Sequence, residues 1–582
     1  MTPVARRLTA YAVSTAVGSG KTKTAIEYMA RPDNSNQNFI YVAPTIRLIG
    51  QTADHLIAAM EESESTREVA LIHSQKPGSD GLPVAAQSTL TINDAGPDDG
   101  LVVIVTTVTF LNIITRIKAP QHWRVILDEA FAPVQFVPFQ LGKRAEAGWD
   151  YFQDVLFIGP PPAYRVVPAV GESSWVEQLA SGNAVGAGEQ YKPFQPLAAI
   201  VTNSALRCEL VLTDKAKQMM ERAKTAASDK QLEVTSADAE AVLLFACYVT
   251  PDPFVGFDEV IFMSALFEHT LLYRLWTTLF DVTFIPHAEF PTTKLRNIHT
   301  EQGPLVAVGH LLHADDSSSR YNLERNTQTG DIGEREEGSR VIDQLVNLSA
   351  EYFKDSTFLL QTNNGYGYEL GSSLIPSNAK RVPAASHGLN EFQDHDNVAA
   401  LAVTNPTPQE AAWIMSRTGL TRTETNMAYR IHTTYQAVGR SSIRKANPTS
   451  NRKVFLTAGQ VDAWMLHVIF EGSKWLGQVG DMRSLRRMSM ASMPDTMEVQ
   501  LADQITKRLD ELPETTAKMS SRAIKAAMNP TCATSTWTRA VGLASEESDD
   551  WALVGQSFVR RDAAYYGFTM EEGFVVEDLI ST

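Results

Sequence analysis

The sequence predicts an α/β protein of two parallel sheets with a mostly helical C-terminal region, and three observations predict it. Four short, largely apolar runs lie within the first 133 residues, with helical patterns between them. A glycine-rich turn separates the first of these runs from the first helical pattern. A second region of alternating patterns extends from about Pro291 to Thr457.

The apolar runs are Thr9–Val13, Asn38–Val42, Leu101–Val105 and Trp123–Leu127. Runs this short and this apolar read as strands buried on both faces, the signature of a parallel sheet covered by helices. Thr24–Met29 and Leu48–Met60 supply helices between them. From Pro133 to about Val255 the pattern loosens: Gly159–Pro162 and Ser181–Gly188 are turn-rich, and Lys215–Thr225 reads as an amphipathic helix. This stretch, about 134–255, is read as an insertion. Asp258–Met263 restores the buried-strand pattern. Further on, Asp315–Ser339 is hydrophilic, Thr357–Leu360 and Val398–Val403 read as strands, and Ala458–Thr582 is mostly helical in pattern with an acidic end. The organisation expected is a first domain over 1–283 carrying the insertion, a second over 284–457, and a helical accessory region over 458–582.

At 582 residues the chain exceeds one ordinary core. Its 44% hydrophobic and 20% charged residues are those of a folded chain, without an apolar run long enough to span a bilayer or form a signal segment. No membrane partner is therefore expected, and a cytoplasmic setting is. Cys208, Cys247 and Cys532 are far apart in sequence and form no metal-binding spacing, which favours free thiols. The formal net charge of -16 means that any nucleic acid must be bound by a local groove rather than by the overall charge.

Ser14-Thr-Ala-Val-Gly-Ser-Gly-Lys-Thr22 follows a predicted strand and opens a predicted helix. In that context Gly18, Ser19 and Gly20 wrap a phosphate with backbone N–H groups, Lys21 reaches the β and γ phosphates, and the Thr22 hydroxyl ligates Mg²⁺. Thr15 stands where the usual pattern has its first glycine. Val125-Ile-Leu-Asp-Glu129 is an apolar strand ending in two acids. Asp128 is expected to hold Mg²⁺, and Glu129 to polarise the water that attacks the γ-phosphate. The two halves in this order predict an ATPase.

The flanking residues resemble the ordered motifs of superfamily 2 helicases, over roughly Leu8 to Lys445. Ser14–Thr22 is similar to motif I, Val42–Gln51 to motif Ia, and Val105–Thr107 to motif Ib. Asp128-Glu-Ala-Phe131 resembles a DEAD/DEAH box, and Ser264-Ala-Leu266 motif III. Phe358–Asn363 resembles motif IV, Ser386–Asn390 with Asp394–Leu401 motif V, and Tyr435–Arg444 motif VI. The resemblance implies two RecA-like motor domains. It assigns Thr45, Arg47, Gln51, Thr106 and Thr107 to the nucleic-acid backbone, and Ser264, Ala265, Gly388 and Asn390 to coupling. Gln436 and an arginine finger, Arg444 or Arg440, join the catalytic set. Three departures stand out: motif VI has its last arginine one place late, motif III lacks its threonine, and no glutamine motif precedes the phosphate loop.

Several features remain open between a functional and a bland reading. Arg47 reads also as a surface salt-bridge partner, and His387 as an ordinary loop residue. Arg483, Arg486, Arg487 and Lys474 form a small basic island that is equally a solvated face. Ser520–Val541 reads as helix–turn–helix, a pattern shared by ordinary helical hairpins. Trp464, Trp475 and Trp537 fit either base stacking or core. The function expected is an ATP·Mg²⁺-driven helicase or translocase on nucleic acid, foremost single-stranded DNA, with replication or recombination proteins as partners. The compact arrangement resembles bacteriophage-encoded members and so a bacterial or infected-host cytoplasm. The alternatives are an RNA helicase, or a nucleic-acid-gated ATPase that remodels protein–nucleic-acid complexes without unwinding.

Overall fold

The computed structural model describes residues 8–75, 82–140, 156–159, 163–182, 189–213, 216–217, 242–291, 295–314, 316, 318–327, 340–383, 392–445, 451–480, 482, 497–512, 516, 518–547, 551–554 and 557–560. The chain divides into two units. The first holds Met1–Ile298 and also Asn405–His432; the second holds His299–Ser386, Glu391–Thr404 and Thr433–Thr582. Each is described by itself.

The first unit is organised by strands β1 (Thr9–Thr15), β2 (Asn38–Ala43), β3 (Val69–Leu71), β4 (Val102–Thr106) and β5 (Trp123–Asp128). The runs of β2, β4 and β5 are strands buried on both faces, every residue of β2 among them, whereas β1 is only partly buried. After the insertion, which supplies β6–β10 below, the sheet resumes with β11 (Glu259–Ala265) and β12 (Thr283–Pro286). The order is β12-β1-β11-β5-β2-β4-β3, with all pairings parallel. Helices α1 (Lys21–Ala30) and α2 (Ile46–Glu62) follow β1 and β2. One apolar layer centres on Trp276, Phe262 and Trp123, the other on Met29, Phe39 and Leu56.

Thr283–Pro286 lies at the boundary expected between the domains, yet it pairs with β1 as an edge strand of the first sheet. Its mixed exposure and its proline are edge-strand traits.

The insertion has a core of its own. Strands β6 (Val134–Gln140), β9 (Leu206–Val211) and β10 (Val242–Val249) form an antiparallel sheet in the order β6-β10-β9. A hairpin of β7 (Leu156–Ile158) and β8 (Val166–Pro168) and two helices, Ser173–Ala180 and Gln195–Val201, accompany it. Cys208 and Cys247, 39 residues apart in sequence, stand opposite each other on β9 and β10, as free thiols with sulfurs 3.5 Å apart. The amphipathic helix expected over Lys215–Thr225 falls almost entirely outside the described residues.

The late segment Asn405–His432 belongs to the first unit through the Pro408–Thr418 helix. Trp413 packs edge-on against Phe136 of β6 and tilted against Tyr248 of β10. Below it, Glu209 of β9 is buried and fully partnered. It accepts from Trp413 Nε1 at 3.1 Å, from Arg417 Nη2 at 2.7 Å and from Tyr248 Oη at 2.6 Å. Glu209→Ala leaves the Arg417 guanidinium without its carboxylate and is expected to lower unfolding stability by about 3–5 kcal/mol. Chemical denaturation followed by tryptophan fluorescence measures the loss. An unchanged midpoint would mean that the cluster contributes nothing.

The second unit carries a six-stranded parallel sheet. Its strands are β13 (Val306–His310), β14 (Phe358–Gln361), β15 (Ala379–Val382), β16 (Asn397–Ala400), β17 (Lys453–Thr457) and β18 (Lys474–Gln478), in the order β15-β14-β16-β17-β13-β18. β18 and the Gln460–Ile469 helix lie past the boundary expected at 457, so the second sheet draws on residues read as accessory. Beyond it, among the described residues, stand three helices and a small antiparallel sheet. The architecture is two RecA-like parallel-sheet domains with a C-terminal helical region.

Candidate nucleotide site

The site in the first unit forms at the C-terminal ends of β1, β11 and β5, where open parallel sheets place their ligands. β1 ends at Thr15 and the chain turns sharply into α1. Gly18 and Gly20 take φ of 65° and 105°, in the region that a side chain disfavours, and Gly20 caps α1. Thr15, in the place of the usual glycine, hydrogen-bonds through its hydroxyl to the Ser19 hydroxyl at 2.8 Å and so braces the loop. Lys21, only 6% exposed, donates through its ammonium to the Ala16 carbonyl at 2.8 Å.

The second half arrives on β5. The Thr22 hydroxyl donates to Asp128 Oδ2 at 2.8 Å, and the Tyr41 hydroxyl donates to the same oxygen. Burial and the neighbouring Glu129 charge push the Asp128 carboxyl above its ordinary range; the bonds from Tyr41 and Thr22 and the Lys21 charge pull the other way. Burial and the Asp128 charge also raise the Tyr41 phenol, which holds it as a donor. A hydroxyl and a carboxylate oxygen side by side at a helix N-terminus suit Mg²⁺, which prefers oxygen ligands and keeps several waters. Thr22 and Asp128 are the residues that would hold it, and it would neutralise phosphate charge there.

Glu129 follows with φ 93°, a conformation rare for any residue but glycine. Its backbone N–H donates to the Met263 carbonyl at 2.8 Å, which fixes the turn. Ser264, fully buried on β11, donates to Glu129 Oε2 at 3.4 Å. Ser264 also pairs in register with Ser14, and Ala265 with Thr15, so the motif III residues lie between the phosphate loop and Glu129.

Three residues of this site escaped the sequence reading. Tyr41 is hidden in an apolar strand. Glu268 accepts a short hydrogen bond from Ser14. Arg296 donates through its backbone N–H to the Ser19 carbonyl at 3.2 Å, and its guanidinium reaches the Gly18 carbonyl at 3.5 Å. Only the strand-like run around Tyr41 carried any signal.

The residues assigned to a nucleic-acid backbone sit at two adjacent strand ends, after β2 and β4. Thr45 and Thr106 cap the helices that follow, accepting from Leu48 N at 3.2 Å and Thr109 N at 3.3 Å. Arg47 is exposed, and Gln51 and Thr107 are half-buried. In the second unit Arg440 is buried and donates to Gln436 Oε1 at 2.9 Å, whereas Arg444 is half-buried at the end of a short turn. His387, Gly388 and Asn390, with Arg483, Arg486 and Arg487, lie outside the described residues. Trp537 is core, while Trp464 is half-exposed and packs edge-on against Trp475.

Residues 4–130 match the family model described as "Type III restriction enzyme, res subunit". No curated protein matches the chain in sequence. Among solved structures the chain is similar to S. cerevisiae Dbp5 bound to RNA and ADP BeF3, at 9% identity and TM-score 0.33, covering 82% of this chain and 86% of that one. A variant of the same protein in the same complex gives 10% identity and TM-score 0.34 over 88% and 90% of the two chains. It is also similar to the ATP-dependent Type ISP restriction-modification enzyme LlaBIII bound to DNA, at 12% identity and TM-score 0.26, covering 86% of this chain but 33% of that one. No described helix is long and apolar enough to cross a membrane. The fold is that of two RecA-like parallel-sheet domains, and the family match is confined to residues 4–130 of the first.

Proposed function

We propose that this chain hydrolyses ATP when engaged with a nucleic-acid strand and uses the cycle to translocate or to remodel a nucleic-acid complex. The observation that carries the reading is Asp128, whose carboxylate lies 2.8 Å from Thr22 of the phosphate loop, with Glu129 next to it and held by Ser264. Lys21 and the loop amides bind the phosphates, Thr22 and Asp128 hold Mg²⁺, and Glu129 polarises the attacking water. Ser264 links Glu129 to the β1–β11 pair and so reports the state of the hydrolytic residue to the sheet.

Thr45, Arg47, Gln51, Thr106 and Thr107 are suited to phosphate and sugar, which position a strand without reading its bases. DNA and RNA share that backbone, so the wider alternative, including RNA and protein–nucleic-acid complexes, is preferred to a replicative DNA helicase. Steady-state ATPase rates without nucleic acid and with single-stranded DNA, duplex DNA or single-stranded RNA test the reading. Stimulation by at least one strand supports it, and equal basal rates in all four would overturn it. Strand displacement then separates unwinding from remodelling.

Arg444 is the preferred finger because Arg440 is buried and tied to Gln436. Arg444→Ala is expected to lower kcat by about 10³-fold with nucleotide Kd little changed. A fluorescent ATP analogue gives the Kd. If Arg440→Ala alone produces that split, the assignment moves to Arg440.

A further inference from the structure

The end of the second unit carries a small module that the ATPase reading does not use. Its order is helix Met497–Asp510, strand Lys518–Ser520, helix Ser521–Met528, helix Thr534–Glu547, and strands Trp551–Val554 and Ser557–Arg560. The last strand lies between the other two, antiparallel to both. This is the arrangement of a helix-turn-helix closed by a β-hairpin wing. The strands are what set it apart from the ordinary helical hairpin that the sequence left open. Its core is separate, built on Leu501, Ile505, Ile524, Trp537, Val541 and Trp551. Asn529 ends the first helix of the pair in the left-handed region at φ 46°, and Pro530 prevents its continuation.

Charge and exposure point to what the module meets. Between residues 515 and 545 there are four basic residues, Lys518, Arg522, Lys525 and Arg539, and no Asp or Glu, in a chain of net charge -16. On the Thr534–Glu547 helix, Trp537, Ala540, Val541 and Ala544 face the core. The opposite stripe is Thr534, Ser535, Thr538 and Arg539, all exposed. Gly542 continues it, and a Cβ there would meet nothing within 4 Å. The stripe is therefore narrow and polar, with the Thr538 hydroxyl donating to the Thr534 carbonyl at 2.9 Å and bare backbone at Gly542 before Glu546 and Glu547 end the helix. Lys518 and Arg522 are exposed on the preceding strand and helix, while Lys525 lies over the Trp537 ring at 5.3 Å.

We propose that this module is a second nucleic-acid site, separate from the ATPase strand path, that seats the Thr534–Glu547 helix in the major groove of duplex DNA. Lys518 and Arg522 flank it on phosphates. Duplex DNA is the occupant because its major groove, about 12 Å wide, admits a helix, whereas that of A-form RNA is deep and too narrow. Hydroxyls and one arginine in the first half of the helix are the chemistry that phosphates and base edges accept, and the acids Glu546 and Glu547 come only at its C-terminal end.

The test uses the full chain without nucleotide and measures fluorescence anisotropy on a short labelled DNA duplex across a salt series. The wild-type protein is expected to bind duplex DNA more tightly than duplex RNA. Arg522→Glu with Arg539→Glu is expected to weaken duplex DNA binding at least about 10-fold and to flatten the log–log salt slope by about 1, for the phosphate contact of Arg522. Ser535→Glu, on the same exposed stripe, checks the face independently. Unfolding midpoints verify that each variant folds, and a folded variant of either kind with wild-type affinity and slope overturns the proposal. So does equal binding of duplex RNA, or no binding of duplex DNA. Single-strand-stimulated ATPase should be unchanged in these variants. If it is absent from the wild-type protein while the duplex result holds, the ATPase reading alone has failed.

Discussion

Glu129→Gln is expected to reduce ATP turnover by about 10²–10⁴-fold, the range for a lost general base, while leaving nucleotide binding intact. The amide keeps the shape of the carboxylate and still accepts from Ser264, so the loss is one of basicity rather than of packing. The Glu129 charge raises the Asp128 carboxyl. Glu129 is assigned neither to the phosphates nor to Mg²⁺, so its replacement leaves their ligands in place. The prediction covers both quantities: kcat falls, and Kd for ATP·Mg²⁺ changes little. Single-turnover hydrolysis and equilibrium binding of a fluorescent ATP analogue separate the two. Ordinary turnover in Glu129→Gln would remove Glu129 from the mechanism. Its φ of 93° accords with the role, since strained backbone of about 1–3 kcal/mol persists where the surrounding contacts over-determine it.

Lys21→Ala is expected to fail earlier in the cycle. The residue is nearly buried at the loop, so a phosphate there meets a charge little screened by water. A charge-assisted hydrogen bond contributes about 1.5–3 kcal/mol, which weakens ATP binding roughly 10- to 150-fold. Loss of charge stabilisation in the transition state costs about 10²–10³-fold in kcat besides. Thermal stability without nucleotide should not fall, because burying an ammonium is itself unfavourable and alanine suits the first turn of α1. Binding titration, ATPase rate and a melting curve together check this. Wild-type affinity in Lys21→Ala would show that the loop does not hold phosphate.

The contrast between what was legible and what was not follows from sequence distance and burial. β2, β4, β5 and β11 were legible because strands buried on both faces must be continuously apolar. The glycine turn before α1 and the Asp128–Glu129 pair were legible as strand-end features because each is a local pattern. Tyr41 gave no sign of its bond to Asp128, 87 residues away, since a tyrosine in an apolar run satisfies the same pattern. Glu209 and Arg417 lie 208 residues apart, and no local periodicity announces such a pair. Edge strands were the weakest: Thr283–Pro286 and Lys474–Gln478 are half-exposed and lose the apolar signature, so neither was read as a strand. The three-residue strand Lys518–Ser520 is too short for any alternation, which left the C-terminal pattern looking like a plain helical pair.

The return of Asn405–His432 to the first unit has a consequence for how the protein is made. Trp413, Ile414 and Leu420 complete the apolar layer that already contains Trp276 and Tyr248. A ribosome that has finished Ile298 must add roughly 130 further residues before that layer can close, on the order of ten seconds at ~5–20 residues per second. Through that interval the nascent first unit displays the aromatic surface around Phe136 and Tyr248, together with the Glu209 carboxylate that awaits Arg417. The N-terminal half therefore cannot mature strictly ahead of the rest, and its vulnerability to aggregation is set by translation speed through the intervening codons.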